Sequence, residues 1–292
     1  MGQSKKTLIT KYWDAVERGL PQPKFCTGIE EIDWHDFSRR VRASDANFIC
    51  SIIDMLYQGH VLILRSAISD ADVQYIKDFA WEFGVRNPPT FHRVIEGCPD
   101  FHRINSLQIA RDAGYSFYRA QHLFYFYRWN SADAKLFKIA DNTWEVFKIL
   151  CGWSEDEFKK TTPRDGLVDR LHIHHYASGT GEQESHQDPY LAQKMIMGHL
   201  LSKKGVDGEY QQGGIYYVSE AGEQIDVDSM LKVGDAYISF PTLIHGVAKC
   251  DPEFQTDWTS RVGRWFMGFY TLYSDHVKNR HTGWAVKVDQ LS

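Results

Sequence analysis

The stretch Leu171-His172-Ile173-His174-His175-Tyr176-Ala177-Ser178-Gly179, followed shortly by His186-Gln187-Asp188, decides how this chain is read. The first nine residues form a short apolar and aromatic run that closes on a Ser-Gly turn, which is the pattern of a strand. On a strand, residues i and i+2 point to the same face. His172, His174 and Tyr176 therefore share one side. His186 and Asp188, also two apart, can grip one ion with an imidazole and a carboxylate. A second histidine, His245, ends the run Asp235-Ala236-Tyr237-Ile238-Ser239-Phe240-Pro241-Thr242-Leu243-Ile244 and is followed by Gly246. Returning on another strand, it would complete a two-His, one-carboxylate face. That ligand set leaves adjacent positions open on Fe(II) and suits oxygen chemistry. A lone His-x-Asp arises by chance, and a lone histidine is more often a hydrogen-bonded core residue. The weight lies in the joint arrangement.

Working outward, short apolar runs recur at 170–177, 195–201, 214–219, 224–227, 235–240, 243–249 and 262–273, separated by Gly- or Asp-rich turns. This spacing predicts a β-sandwich or barrel. Upstream, Gly59 to Leu64 reads as a buried strand. Ser69 is placed to cap a helix whose apolar side is Val73, Ile76, Phe79, Ala80 and Phe83, with Gly84 as its stop. His122 to Tyr127 is an aromatic strand candidate. Asn130 or Ser131 is the candidate cap of a helix running to about Leu150. Residues 1–50 are mixed and mostly polar, with a turn at Leu20-Pro21-Gln22-Pro23. The expectation is a mainly β, α+β chain: a mostly helical part (1–167) packed on a β core (168–275), then a tail (276–292). No low-complexity linker divides them.

The bulk properties exclude several classes. With 292 residues, 43% of them hydrophobic and 24% charged, the chain can bury a large core. A net charge of −5 gives no global attraction to nucleic acid or anionic membrane. The five cysteines are isolated and form no Cys-x-x-Cys pair, which argues against a disulfide scaffold or zinc ribbon and fits a reducing compartment. The start, Met1 to Lys6, lacks an apolar signal core, and Lys6 stands where a myristoylation signal wants Ser or Thr. No run of about 18 apolar residues is present. A cytoplasmic protein without membrane or nucleic-acid partners is expected; oligomeric state is unreadable.

The order of motifs resembles the Fe(II)/2-oxoglutarate-dependent dioxygenase superfamily over residues 168–273. A Gly-containing loop precedes His186-Gln187-Asp188. Gly213-Gly214 opens a middle strand, Gly234-Asp235 opens the strand before His245-Gly246, and Arg264 begins the last strand. Within the superfamily the chain is similar to the phytanoyl-CoA dioxygenase branch, through the His-Gln-Asp form and the strand–Ser–helix unit at 59–84. The resemblance implies a double-stranded β-helix (jelly-roll) core within a single dioxygenase domain over 1–292. It implies iron held by His186, Asp188 and His245, with 2-oxoglutarate as co-substrate and O2 as oxidant. Retention of Asp188, which related halogenases replace with a small residue, favours hydroxylation of a small molecule, with succinate and CO2 released.

Two arginines compete for the distal carboxylate of 2-oxoglutarate. Arg261 and Arg264 are an odd number apart, so a regular strand would face them oppositely. A guanidinium fork suits a carboxylate, and the resemblance favours Arg264. Tyr176 is a second candidate for a co-substrate contact. Arg93, Arg103 and Arg128 are candidates for an anionic substrate, against ordinary surface pairing. Tyr190 could wall a pocket or simply pack. The rival from another class is a cupin-type metal enzyme that does not use 2-oxoglutarate. A barrel that lost turnover is a third reading, opposed by the intact His186, Asp188, His245 and Arg264 set.

Overall fold

The apolar runs fold into two curved sheets that face each other, with helices laid against the outside of one of them. The computed structural model describes residues 8–130, 133–190, 193–278 and 284–286. In chain order the elements are α1 (Leu8–Gly19), β1 (Gly28–Asp33), α2 (Trp34–Arg42), α3 (Ala46–Tyr57), β2 (His60–Arg65), α4 (Asp70–Arg86), β3 (Asp100–Ile104), α5 (Leu107–Asp112), β4 (Arg119–Tyr127) and α6 (Ala134–Leu150). There follow β5 (Leu167–Ala177), β6 (Glu182–Gln187), β7 (Ile196–Leu200), β8 (Gly214–Val218), β9 (Gln224–Asp226), β10 (Ala236–Ser239), β11 (His245–Ala248), β12 (Gly263–Tyr273) and β13 (Trp284–Ala285).

Strands β5 to β12 are the jelly roll. One sheet runs β10-β7-β12-β5 and the other β6-β11-β8-β9, so the chain repeatedly crosses from one sheet to the other. This is a double-stranded β-helix, as the motif order implies. The N-terminal strands extend it. β2 pairs with β10, β1 lies parallel to β2, and β3 pairs with β4. β4 pairs along β5 at one end and with β6 at the other, through Arg119 opposite Gln183, so it ties the two sheets together.

The helices are held by their aromatic faces. Trp144 of α6 stacks on Phe269 of β12 with ring centroids 5.0 Å apart, and Trp34 of α2 meets Phe147 edge-on. The Trp13 indole of α1 donates to the Leu150 carbonyl at 2.8 Å. Each such buried aromatic stabilises by roughly 1.5–3 kcal/mol through apolar burial.

Two helix boundaries differ from the sequence expectation. Ser69 does cap α4, its hydroxyl accepting from the Asp72 amide. Gly84 does not stop the helix, which runs on to Arg86. A Cβ at Gly84 would lie 2.9 Å from the Phe124 ring, so this glycine serves close helix–sheet packing. For α6 the cap is Asp133, whose carboxylate accepts from the Leu136 amide at 2.6 Å. Asn130 instead closes the turn after β4. Ser131 lies outside the described residues, as do Lys6 and most of the 276–292 tail. β6 was absent from the apolar runs because Glu182-Gln183-Glu184-Ser185-His186-Gln187 is polar throughout. Among the described residues, no helix is long and apolar enough to cross a membrane.

Candidate metal centre

β6 and β11 run antiparallel with His186 directly opposite His245. Asp188 follows just beyond the end of β6, where its amide donates to the Pro241 carbonyl at 3.0 Å and holds it against the turn that leads into β11. Gln187 points the other way and donates to the Thr242 carbonyl. This alternation leaves His186 and Asp188 on the interior face, as period 2 requires.

The three side chains converge. His186 Nε2 lies 3.7 Å from Asp188 Oδ1, and His245 Nε2 lies 3.9 Å from Asp188 Oδ2. One ligand atom from each residue falls within 4.8 Å of the others. Both rings are oriented by their own backbone. His186 Nδ1 sits 2.9 Å from the Glu184 carbonyl and His245 Nδ1 sits 2.8 Å from the Leu243 carbonyl. A carbonyl only accepts, so each Nδ1 carries the proton and each Nε2 presents a lone pair inward. Phe117 stacks on His186 at 4.2 Å and Tyr217 flanks His245 at 5.5 Å, which restrains both rings from turning.

The electrostatics suit a cation. Burial, then His245 and Arg119, hold the His186 pKa well below the usual histidine range, so the ring is neutral and fit to ligate. Desolvation raises the Asp188 carboxyl against the opposing pull of His245 and Arg119. A half-buried carboxylate set against two imidazole Nε2 atoms offers a divalent ion one charge and two lone pairs. The His186 Nε2 lone pair is met by the Gln183 amide at 2.9 Å, and Gln183 in turn accepts from the Tyr176 hydroxyl at 2.9 Å. A metal at this position would take over that lone pair, and Gln183 would turn aside. The donor set and its spacing fit iron(II).

The two arginines separate, though not by strand alternation, because Arg261 lies before β12 begins at Gly263. The Arg264 side chain is 1% exposed and faces inward, where it makes a two-point ion pair with the buried Asp228. Tyr210 also donates to Asp228, at 2.7 Å. Asp228 takes Nε and one Nη2 hydrogen, leaving Nη1 free of that pair. Arg261 is 40% exposed and pairs with Asp78 on α4.

His186, Asp188, His245, Arg264 and Tyr176 all line one cavity of about 850 Å³. Burial pushes the Tyr176 hydroxyl up to about 12, against the lowering effect of Arg264. His172 and His174 line the same cavity. Of the other candidates, Arg128 is a structural cation between Asp141 and Asp169. Arg103 donates to His122, while Arg93 reaches the cavity rim. Tyr190 stacks on Phe240 and donates to Glu17, so it packs rather than lining the cavity.

Sequence reasoning missed Asp228, Gln183, Arg119 and Arg170 as cavity or support residues. Arg170 had a signal: the set 172, 174, 176, extended back by one step of two, reaches it. Asp228 had none, because its role depends on meeting Arg264 across the barrel.

No family model matches this chain, and no curated protein does. Solved structures do. A prolyl hydroxylase from Trichoplax adhaerens, in complex with a hypoxia inducible factor peptide, aligns at TM-score 0.50 and 11% identity, over 82% of this chain and 93% of its own. A Pseudomonas putida prolyl-4-hydroxylase aligns at 0.46 and 10%, over 76% and 97%. Neurospora crassa T7H, in complex with alpha-KG, aligns at 0.47 and 12%, over 88% and 86%. At these identities the likeness is one of fold.

Proposed function

We propose that this chain is an Fe(II)- and 2-oxoglutarate-dependent oxygenase that hydroxylates an unactivated C–H bond of a small molecule. One observation carries the reading: two imidazole Nε2 atoms and one carboxylate converge within 4.8 Å on the inner face of a double-stranded β-helix, with both Nδ1 positions tied to backbone. The fold shared with the Trichoplax adhaerens prolyl hydroxylase supports it, and so does the motif order. The finer kinship to the phytanoyl-CoA dioxygenase branch rests on the His-Gln-Asp form and the strand–Ser–helix unit alone.

In this reading His186, Asp188 and His245 hold iron(II). When bound, the iron and 2-oxoglutarate supply oxidising power from O2, with succinate and CO2 as co-products. The chain's own residues do the rest. The Glu184 and Leu243 carbonyls keep both imidazoles in the ligating tautomer. Arg264, held by Asp228, turns its remaining donors toward the distal carboxylate of the co-substrate. Tyr176 packs beside that guanidinium, 5.5 Å from its ring centroid, and borders the same space. The buried walls exclude bulk water from the reacting centre. Asp188 keeps a carboxylate among the ligands, which favours hydroxylation over halogenation.

The alternative is a cupin-type metal enzyme in which Arg264 is only structural. Its pairing with Asp228 favours that reading. Anaerobic titration with Fe(II) and 2-oxoglutarate separates the two. A weak visible charge-transfer band is expected in the wild type. It should be lost in His186→Ala and need much more 2-oxoglutarate in Arg264→Gln. Bound iron without a band would overturn the 2-oxoglutarate assignment and put the cupin-type reading first.

A further inference from the structure

Arg119 and Arg170 face the same cavity as the candidate metal site, and neither has a carboxylate partner among the described residues. Arg119 opens β4, is 8% exposed, and its Nε has no hydrogen-bond partner. Its guanidinium lies 4.4 Å from the Tyr115 ring centroid and 4.6 Å from that of Phe117, the ring that stacks on His186. Arg170 on β5 lies 4.0 Å over the Tyr125 ring and donates from Nε to His172. The two tyrosines that carry these cations touch each other, their hydroxyls 3.1 Å apart. Both guanidiniums thus border one small region of the cavity.

The cavity's own carboxylates do not neutralise them. Asp188 belongs to the His186–Asp188–His245 trio. Asp275 accepts from the Val94 amide and Asp112 from Gln108. By contrast, Arg65, Arg128 and Arg264 each have an aspartate in direct contact. A guanidinium withdrawn from water without a counter-ion is costly, and aromatic faces offset only part of that. The neighbouring His172 and His174 add no competing charge. Burial first, and then the adjacent arginines, hold both rings neutral. His174 Nε2 is buried without a partner, a further polar atom left for a ligand.

We infer that the substrate carries an anionic group, a carboxylate or a phosphate, which docks between Arg119 and Arg170. This rests on the proposed oxygenase reading for what happens after docking, but the anion site itself stands on two arginines that lack a carboxylate partner among the described residues, of which Arg119 also has an unpartnered Nε. Bidentate donors on two sides suit a planar or tetrahedral oxyanion. The aromatic rings of Phe117, Tyr115 and Tyr125 leave an apolar wall for the body of the molecule. A cavity of about 850 Å³ takes a small molecule rather than a folded chain.

The test uses two fluorescent probes that differ by one charge: 8-anilinonaphthalene-1-sulfonate and the neutral N-phenyl-1-naphthylamine. Each is titrated into the protein alone, and again with Mn(II) and 2-oxoglutarate present. The wild type should bind the sulfonate at least about tenfold more tightly than the amine. Arg119→Met and Arg170→Met should each weaken the sulfonate by about tenfold, and Arg→Lys at the same positions should restore part of it. Affinity for the neutral amine should change by less than about twofold, which also reports that the variants fold. Displacement of the sulfonate by octanoate or by octyl phosphate, with octanol as neutral control, then separates a carboxylate from a phosphate substrate.

Equal affinity for the two probes, or arginine variants that weaken both alike, would overturn the inference. So would competitive displacement of the sulfonate by 2-oxoglutarate alone, because the arginines would then serve the co-substrate. None of these readouts needs iron. A missing Fe(II)–2-oxoglutarate band alongside intact sulfonate selectivity would therefore sink the oxygenase reading and leave the anion site.

Discussion

His186 and His245 face each other across antiparallel neighbours β6 and β11, their ring centroids 4.3 Å apart. The spacing of two strands thus sets the spacing of two candidate ligands. Gly246, next to His245, lets the strands come that close. A Cβ there would lie 2.5 Å from the Tyr216 hydroxyl and 2.9 Å from the Gln183 carbonyl on β6.

Gly246→Ala should therefore weaken metal binding without removing a ligand. A loss of about 10–100-fold is expected, the size seen when the support around metal ligands is disturbed. Calorimetric titration with Co(II), alongside far-UV circular dichroism to show an intact fold, measures it. Unchanged affinity would mean that β6 and β11 tolerate the extra methyl and that strand spacing does not control the site.

The Arg264–Asp228 pair is buried on both sides. Removing one partner strands the other charge in the core. Asp228→Asn is expected to cost about 3–5 kcal/mol in urea unfolding. Arg264→Met combined with Asp228→Leu should recover much of that, since no lone charge remains. If Asp228→Asn were neutral, the pair would contribute nothing to the barrel's stability.

His199 supplies a pH dependence remote from the metal site. Burial lowers its pKa to about 3, and its Nε2 lies 3.0 Å from the Thr143 hydroxyl. Unfolded, it titrates near the ordinary value of about 6.5. Below that pH the unfolded chain takes a proton that the folded chain refuses, so stability falls as pH drops, until about pH 3. Between about pH 6 and 4.5 the wild type should lose about 1.4 kcal/mol per pH unit more than His199→Gln, once the unfolded histidine is protonated. Urea unfolding of both proteins across that range reads the difference. Parallel pH profiles would show that His199 does titrate in the fold.

Asp133 joins two helices, capping α6 at the Leu136 amide and accepting from Tyr75 of α4 at 2.6 Å. Asp133→Ala should cost about 1–2 kcal/mol, a cap plus a side-chain bond. Tyr75→Phe, which spares the cap, should cost less. Thermal unfolding of the two variants ranks them, and equal losses would show that the cap contributes little.

Much of this architecture was legible because its causes are local. The run from Leu171 to Gly179 shows a strand and the turn that ends it, and strands β7 to β12 announce themselves by apolar runs between glycines and aspartates. Ser69 capped its helix as read, because capping involves only a hydroxyl and an amide three residues on. The interior facing of His186 follows from period 2 within a few residues. β6 was harder to see, since Gln183 and Ser185 to Gln187 are buried by their place between β4 and β11 and not by any apolar preference of their own.

What the chain alone determined was the alternation of faces and the order of motifs, since backbone pleat and turn chemistry act over a few residues. Which of those faces meet was set by closure of the barrel. Odd spacing would make Arg261 and Arg264 diverge on a regular strand, but Arg261 lies outside β12, and only barrel closure puts Arg264 against Asp228 and Arg261 against Asp78. That Arg119 and Arg170 meet no carboxylate among the described residues is likewise a property of the closed cavity. Whether a buried charge finds a partner depends on which distant carboxylates the sheets carry toward it, and no short-range pattern encodes that distance.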